Sequence, residues 1–338
     1  MTSPTTNPPR AILFDIGGVV VQSPFQAILD YERAHGIPAG WINTAISRAA
    51  PAGAWQRLER GEMALDEAFF AAWAKDLSDP VVWREFWLAR RGKERNNNHN
   101  SSSSSSSSNH NKNDASVPPH IHTPTLFWSM MRLSRHPDPH MYPALRRLHV
   151  LAPSRGLVLG ALSNTVIFPA GVRDETGTPF DSGLRFERHH HHQQQQGGTE
   201  SAVLVREENA AERSEASEHS EPSASSTTST APHDIRALLP VQISSAHSGL
   251  RKPDAAIYAL ALRALNAEAA RRGLPALSAH DVLFLDDIGQ NLRGARAAGM
   301  RTLKVELGGT ARAVRALEGM LGVRLGDEMG EEGGRAKL

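Results

Sequence analysis

The chain has 338 residues, with 37 Lys+Arg against 36 Asp+Glu, and 40% of it is hydrophobic. That length allows a sizeable core and two domains, and so even a charge balance gives no electrostatic reason to expect nucleic acid or an anionic membrane as a partner. The absence of cysteine excludes disulfides, cysteine zinc sites and a cysteine nucleophile.

Residues 1–10 are polar and proline-bearing, without the charged-then-apolar order of a signal peptide, so the expectation is a soluble cytoplasmic protein. Residues 11–21 are an apolar run holding Asp15, Gly17 and Gly18; the run is too short to span a bilayer and predicts a buried strand. Helical patterns follow at 26–35, stopping at Gly36, and at 41–50, 66–77 and 81–91. Residues 93–122 hold an Asn/His tract and the run Ser101 to Ser108, with too little apolar surface to offset the entropy of ordering them. Further on, 142–152 predicts a helix and 157–162 a short strand.

Residues 176–232 form a second low-complexity stretch, containing His189 to His192 and Gln193 to Gln196. A histidine tract can bind metal, but the expectation here is a solvated segment. Residues 241–244 predict a strand, and Pro253 opens a helix whose Ile257, Leu260, Ala261 and Leu265 share one face. Strands at 282–285 and 302–305 and helices at 291–298 and 311–321 complete the chain.

Strands alternating with helices imply an α/β fold with a mostly parallel sheet covered on both faces. The helix-after-helix block at 26–91 breaks the alternation and implies an inserted all-helical subdomain over the carboxyl end of the sheet, where such sheets bind ligands. The expected division is a Rossmann-like core at 1–22 and 140–338, with an insertion at about 176–232, and a helical cap at 23–139, with an insertion at about 93–122.

Four short segments each lie at the carboxyl end of a predicted strand or in the loop just beyond it. Asp15 ends the first, where an acid is costly unless paired or metal-bound, and Gly17 and Gly18 let the backbone turn and approach a ligand. Ser163 and Asn164 offer a hydroxyl, an amide and backbone N–H groups suited to an anion such as phosphate. Lys252 precedes the start of a helix, a doubly positive spot. Asp286 and Asp287 leave a hydrophobic strand together and attract a hard cation such as Mg²⁺. Each segment alone has an ordinary reading as a cap, a turn or a solvated charge; their order and shared position at strand ends argue for one site.

The segments Phe14-Asp15-Ile16-Gly17-Gly18-Val19, Leu162-Ser163-Asn164-Thr165, Arg251-Lys252-Pro253-Asp254 and Leu285-Asp286-Asp287-Ile288-Gly289-Gln290-Asn291 resemble the four motifs of haloacid dehalogenase-like hydrolases. Their wording looks like the branch holding the N-terminal phosphatase domain of soluble epoxide hydrolase, and Leu58-Glu59-Arg60-Gly61-Glu62 resembles a segment of that branch's cap. The resemblance implies Asp15 as nucleophile in an aspartyl-phosphate mechanism on a phosphate ester. It implies Mg²⁺ held by Asp15, the Gly17 carbonyl, Asp287 and, through water, Asp286. It implies Ser163, Asn164 and Lys252 gripping the phosphoryl group, with Asn291 steadying the acidic loop.

One departure matters. The family's phosphatases carry a second Asp two residues after the nucleophile, as acid for the leaving group; Gly17 stands there and donates no proton. Two other readings therefore stay open: a metal-independent haloacid dehalogenase, and a degenerate phosphate-binding protein. Trp41, Trp55, Phe69, Phe70 and Trp73 make the cap aromatic, which predicts a packed helical core for most of them and leaves open an apolar pocket for lipid or aryl phosphates.

Overall fold

A computed structural model describes residues 7–98, 117–180, 204–205 and 235–326. A six-stranded sheet has the order β3-β4-β2-β1-β5-β6. Its strands are β1 (Ala11–Phe14), β2 (Val158–Ser163), β3 (Leu204–Val205), β4 (Val241–Ser244), β5 (Val282–Asp286) and β6 (Arg301–Lys304). All neighbours pair in parallel except β3, which runs antiparallel at the edge beside β4.

Period-two alternation divides the strands between two cores. Ile12, Phe14, Leu159, Leu283 and Leu285 pack on one face with α7 (Met141–Leu151) and α12 (Thr310–Leu321). Leu13, Val158, Leu162 and Phe284 pack on the other with α10 (Ala255–Arg271) and α11 (Gly289–Ala297). The short helices α8 (Ile235–Leu238) and α9 (Ser245–Ser248) flank β4. Helix, sheet and helix thus form the three layers of an α/β fold.

The first expected strand is shorter than its apolar run. The chain leaves β1 at Phe14, and the N–H groups of Val20 and Val21 turn back to the Ile16 carbonyl at 2.9 and 3.0 Å. Gly18 has φ +78°, which an extended strand does not accept. Val19, Val20 and Val21 are apolar because this turn is buried in the first core, not because they continue the sheet. The predicted helix at Pro253 also begins later: α10 starts at Ala255 with Asp254 as its N-cap.

Six helices follow the turn: α1 (Pro24–Ala34), α2 (Trp41–Ala49), α3 (Ala54–Glu59), α4 (Glu67–Leu77), α5 (Pro80–Asn98) and α6 (Thr123–Leu133). They share a third core built on Ile28, Trp41, Leu58, Phe69, Trp73, Leu126 and Phe127. Trp41, Phe69 and Trp73 are fully buried and cannot line an open pocket, whereas Trp55 and Phe70 are only partly buried. The short α3 and the post-insertion α6 are not among the expected helices, although Pro124 marks the first turn of α6.

The helices are joined by caps that span elements. Ser23 caps α1 and Asp66 caps α4 with their own side chains. The N-cap of α2 is Gly40, which has no side chain to offer; buried Glu32 of α1 accepts the Gly40 and Ile42 N–H groups instead, each at 2.8 Å.

Thr176 to Phe180, placed in the second insertion by composition, form a turn: Asp174 accepts the Thr178 N–H at 3.0 Å, and Phe180 packs on the helical core. The edge strand β3 also falls within that stretch. In the first stretch, α5 runs on to Asn98 and Ile121 is buried. The serine run, His189 to His192 and Gln193 to Gln196 lie outside the described residues. No helix among the described residues is long and apolar enough to cross a membrane.

Candidate active site

Parallel register brings the strand ends together. Phe14 pairs with both Ala161 and Leu285, so Asp15 and Asp286 leave adjacent strands at one level. The Asp15 N–H donates to the Leu285 carbonyl at 2.8 Å, which extends the ladder by one residue and fixes the Asp15 backbone.

Lys252 reaches this point from the loop before α10. It is fully buried, and its Nζ donates to the Leu162 carbonyl at 2.9 Å and to Asp286 Oδ2 at 2.7 Å, and pairs with Asp15 Oδ2 at 2.9 Å. The Phe284 ring lies beneath it at 5.2 Å. Burial alone would push this ammonium down, but Asp15 and Asp286 together hold it above its ordinary value.

Asp15, Asp286 and Asp287 each present an oxygen, all within 4.8 Å of one another. Burial, then the charges of Asp286 and Asp287, push the Asp15 carboxyl well above the usual range against the pull of Lys252. Burial and Asp286 push Asp287 up to about 7. Asp287 Oδ1 is buried without a hydrogen-bond partner, and Oδ2 receives only a long contact, 3.4 Å, from Ser23 Oγ. Three carboxylates, with a buried oxygen left over, form a donor set that fits a divalent cation with oxygen preference.

Asp286 is the more constrained acid. Its Oδ1 accepts the Ile288 N–H at 2.7 Å, and the Asn291 amide donates to Oδ1 at 3.1 Å and Oδ2 at 3.0 Å. The Asn291 carbonyl in turn accepts the Tyr258 hydroxyl at 2.7 Å, tying the acidic loop to α10.

The two glycines after Asp15 differ. A Cβ on Gly18 would lie 2.2 Å from Asp287 Oδ2, and its φ of +78° already disfavours a side chain. A Cβ on Gly17 would meet Pro24 at 3.4 Å, an ordinary contact, and its backbone is not left-handed. Gly18 is therefore required by geometry, whereas Gly17 is a choice.

Ser163, at the buried end of β2, has only a 3.5 Å contact to the Asn164 carbonyl, so its hydroxyl is weakly engaged. Asn164 is committed: its Oδ1 accepts the Lys252 N–H at 3.0 Å and its Nδ2 donates to the Lys252 carbonyl at 3.2 Å. Its side chain holds the Lys252 backbone. Asn291 is likewise occupied with Asp286. Sequence reasoning assigned no role to Ser23, Tyr258 or Arg251; only Ser23 carried a signal, as a serine before Pro24 at a helix start.

No protein-family model matches the chain. Among curated proteins, 92 residues are 37% identical to bifunctional epoxide hydrolase 2 of Sus scrofa, covering 27% of this chain and 14% of that one. A second similarity, 22% over 316 residues, is to acyl-CoA dehydrogenase family member 10 of Mus musculus, covering 94% of this chain and 19% of that one. The chain thus spans less than a fifth of either relative. The order of the four strand-end motifs resembles that of haloacid dehalogenase-like hydrolases.

Solved structures similar to this chain include a HAD-like family hydrolase from Porphyromonas gingivalis, at 14% identity, 89% and 92% coverage of the two chains and TM-score 0.39. A HAD family enzyme from Bacteroides thetaiotaomicron, in complex with magnesium and inorganic phosphate, is 11% identical, with 88% and 93% coverage and TM-score 0.36. An L-2-haloacid dehalogenase is 18% identical, with 88% and 86% coverage and TM-score 0.36.

Proposed function

We propose that this chain is a Mg²⁺-dependent phosphatase of small organic or lipid phosphate esters, with Asp15 as nucleophile. The observation that carries this reading is the buried group Asp15, Asp286 and Asp287 around Lys252, with Asp287 Oδ1 unpartnered. Asp15, the Gly17 carbonyl and Asp287 would hold the cation, with Asp286 reaching it through water. When bound, Mg²⁺ would supply the positive charge that lets a carboxylate and a phosphate approach each other.

Asp15 attacks phosphorus, the bond from phosphorus to the ester oxygen breaks, and an aspartyl-phosphate forms as the alcohol leaves. Water then attacks the phosphorus, releasing phosphate and restoring the carboxylate. Lys252, oriented by the Leu162 carbonyl and Asp286, favours the ionised form of Asp15 against the burial that opposes it, and faces the charge that develops on the phosphoryl oxygens. The Ser163 hydroxyl is available to donate to one of them. Asn164 serves this step indirectly, by holding the Lys252 loop. Gly17 gives the departing oxygen no proton, which leaves water, a cap residue or the substrate to supply it. Residues 23–139 act in this reading as the cap over the site, with partly buried Trp55 and Phe70 as candidates to meet an apolar substrate.

The alternative, attack at carbon with loss of halide, needs no metal and gives the Asp287 oxygen no role. The test is hydrolysis of an aryl phosphate by wild type and Asp15→Asn, with Mg²⁺ and with chelator. Turnover requiring both Mg²⁺ and Asp15 is expected; Mg²⁺-independent turnover of a 2-haloacid, with none of the phosphate, would overturn the reading.

A further inference from the structure

Beyond the strand-end residues, one contact joins the helical block to the loop that carries Lys252. Glu59 ends α3, and its Oε2 accepts a hydrogen bond from Arg251 Nε. The pair is largely shielded, with side-chain exposures of 9% for Glu59 and 19% for Arg251. The same guanidinium donates through Nη1 to the Lys252 carbonyl at 2.9 Å. That carbonyl also accepts from Asn164 Nδ2 at 3.2 Å, so the Lys252 peptide is gripped from β2 and, through Arg251, from α3.

A second close approach lies two residues on. Gly61, with φ +68°, passes the α9 backbone so tightly that a Cβ there would lie 2.3 Å from the Ala246 carbonyl oxygen. The turn after α3 is therefore seated on the core at two points, Arg251 and Ala246. Burying an ion pair commonly yields little net stability, because the desolvation of both charges offsets their attraction. Packing alone thus gives no reason for a carboxylate here, whereas fixing a loop in one position does.

We propose that Glu59 is a positioning residue: through Arg251 it holds the Lys252 loop, so that Lys252 reaches Asp15 only when the α3 turn is seated. The inference rests on the phosphatase reading for its consequence, and on the contacts alone for the loop tie. Seating the helical block then completes the site, which couples closure over the substrate to the placement of the ammonium.

The test uses the full chain with an aryl phosphate and Mg²⁺, and hydrogen–deuterium exchange of residues 249–254. Glu59→Gln keeps the shape and removes the charge. Its kcat should fall about 10- to 100-fold, the scale of a small misplacement of catalytic groups, with KM nearly unchanged. Loop amides should exchange faster than in wild type. Combining Glu59→Gln with Arg251→Gln should cost no more than the worse single change, since both cut one connection. A wild-type kcat, loop exchange unchanged from wild type, or costs that multiply would each overturn the proposal. If Glu59→Gln does not fold by circular dichroism, Arg251→Gln is read in the same two assays. A wild type with no turnover sinks the phosphatase reading, and the exchange experiment still decides the loop tie.

Discussion

Gly18 and Asp287 occupy each other's space: a Cβ on the glycine would come within 2.2 Å of Asp287 Oδ2. The absence of a side chain at position 18 is thus what lets the second acid of the β5 exit stand beside the turn that follows Asp15. Gly18→Ala should displace the Asp287 carboxylate and lower turnover by about 100-fold, the scale expected when a group at the reacting centre moves by about an ångström. Steady-state kinetics of the folded variant on an aryl phosphate checks this; wild-type kcat would contradict it.

Gly17 should behave in the opposite way. Its Cβ position is open to within 3.4 Å of Pro24 and its backbone suits any residue. Without an acid there, rates should depend steeply on the leaving group, with aryl phosphates far ahead of alkyl phosphates. Gly17→Asp should flatten that dependence, raising alkyl phosphate turnover by up to about 100-fold, the lower bound of general-acid catalysis. A plot of log kcat/KM against leaving-group pKa for both proteins is the measurement.

Asn291 should act through Asp286 and the cation. It donates to both Asp286 oxygens and contacts no other acid in the group. Asn291→Ala should weaken Mg²⁺ by about 10- to 100-fold, as loss of a residue that orients a ligand does. Mg²⁺ titrations of activity and of melting temperature should shift together. In wild type, chelator should lower the melting temperature, since a cation at 100 times its Kd adds about 2.7 kcal/mol.

Glu32 should matter for stability and not for turnover. It is fully buried and supplies the cap that Gly40 cannot. Glu32→Ala strands two N–H groups and should cost about 1–3 kcal/mol. Urea unfolding reads the loss, and kcat should stay at the wild-type value.

Asp281 gives a pH-dependent contribution. Hydrogen bonds from the Ser278 hydroxyl and N–H, at 2.7 and 2.8 Å, hold its carboxyl below the usual range, with help from Arg10. A depressed folded value means the stabilisation is present above the unfolded pKa of about 3.9 and lost as pH falls through the folded one. The melting difference between wild type and Asp281→Asn should therefore shrink in acid below that unfolded value. A difference that grows there would contradict the assignment.

Legible in the amino-acid sequence were the α/β class, five of the strands, the position of Asp15, Ser163, Asp286 and Asp287 at strand ends, and that of Lys252 in a loop before a helix. Those features are local: apolar runs of strand length, and polar residues where each run stops. The limits of the first strand were not legible, because Val19, Val20 and Val21 are equally apolar in a buried turn and in a strand, and only the left-handed Gly18 separates the two. The contacts made by Asn164 and Glu59 became visible only in the folded chain, whereas the resemblance already implied that Asn291 steadies the acidic loop. Asn164 and Glu59 each act through a partner far along the chain, Asn164 on the Lys252 backbone and Glu59 on Arg251, as Lys252 does on Asp15 and Asp286. Nothing in local sequence reports which of several polar side chains will be spent on another residue and which will remain for a ligand, because that is fixed only when parallel register and helix packing bring the strand ends to one place.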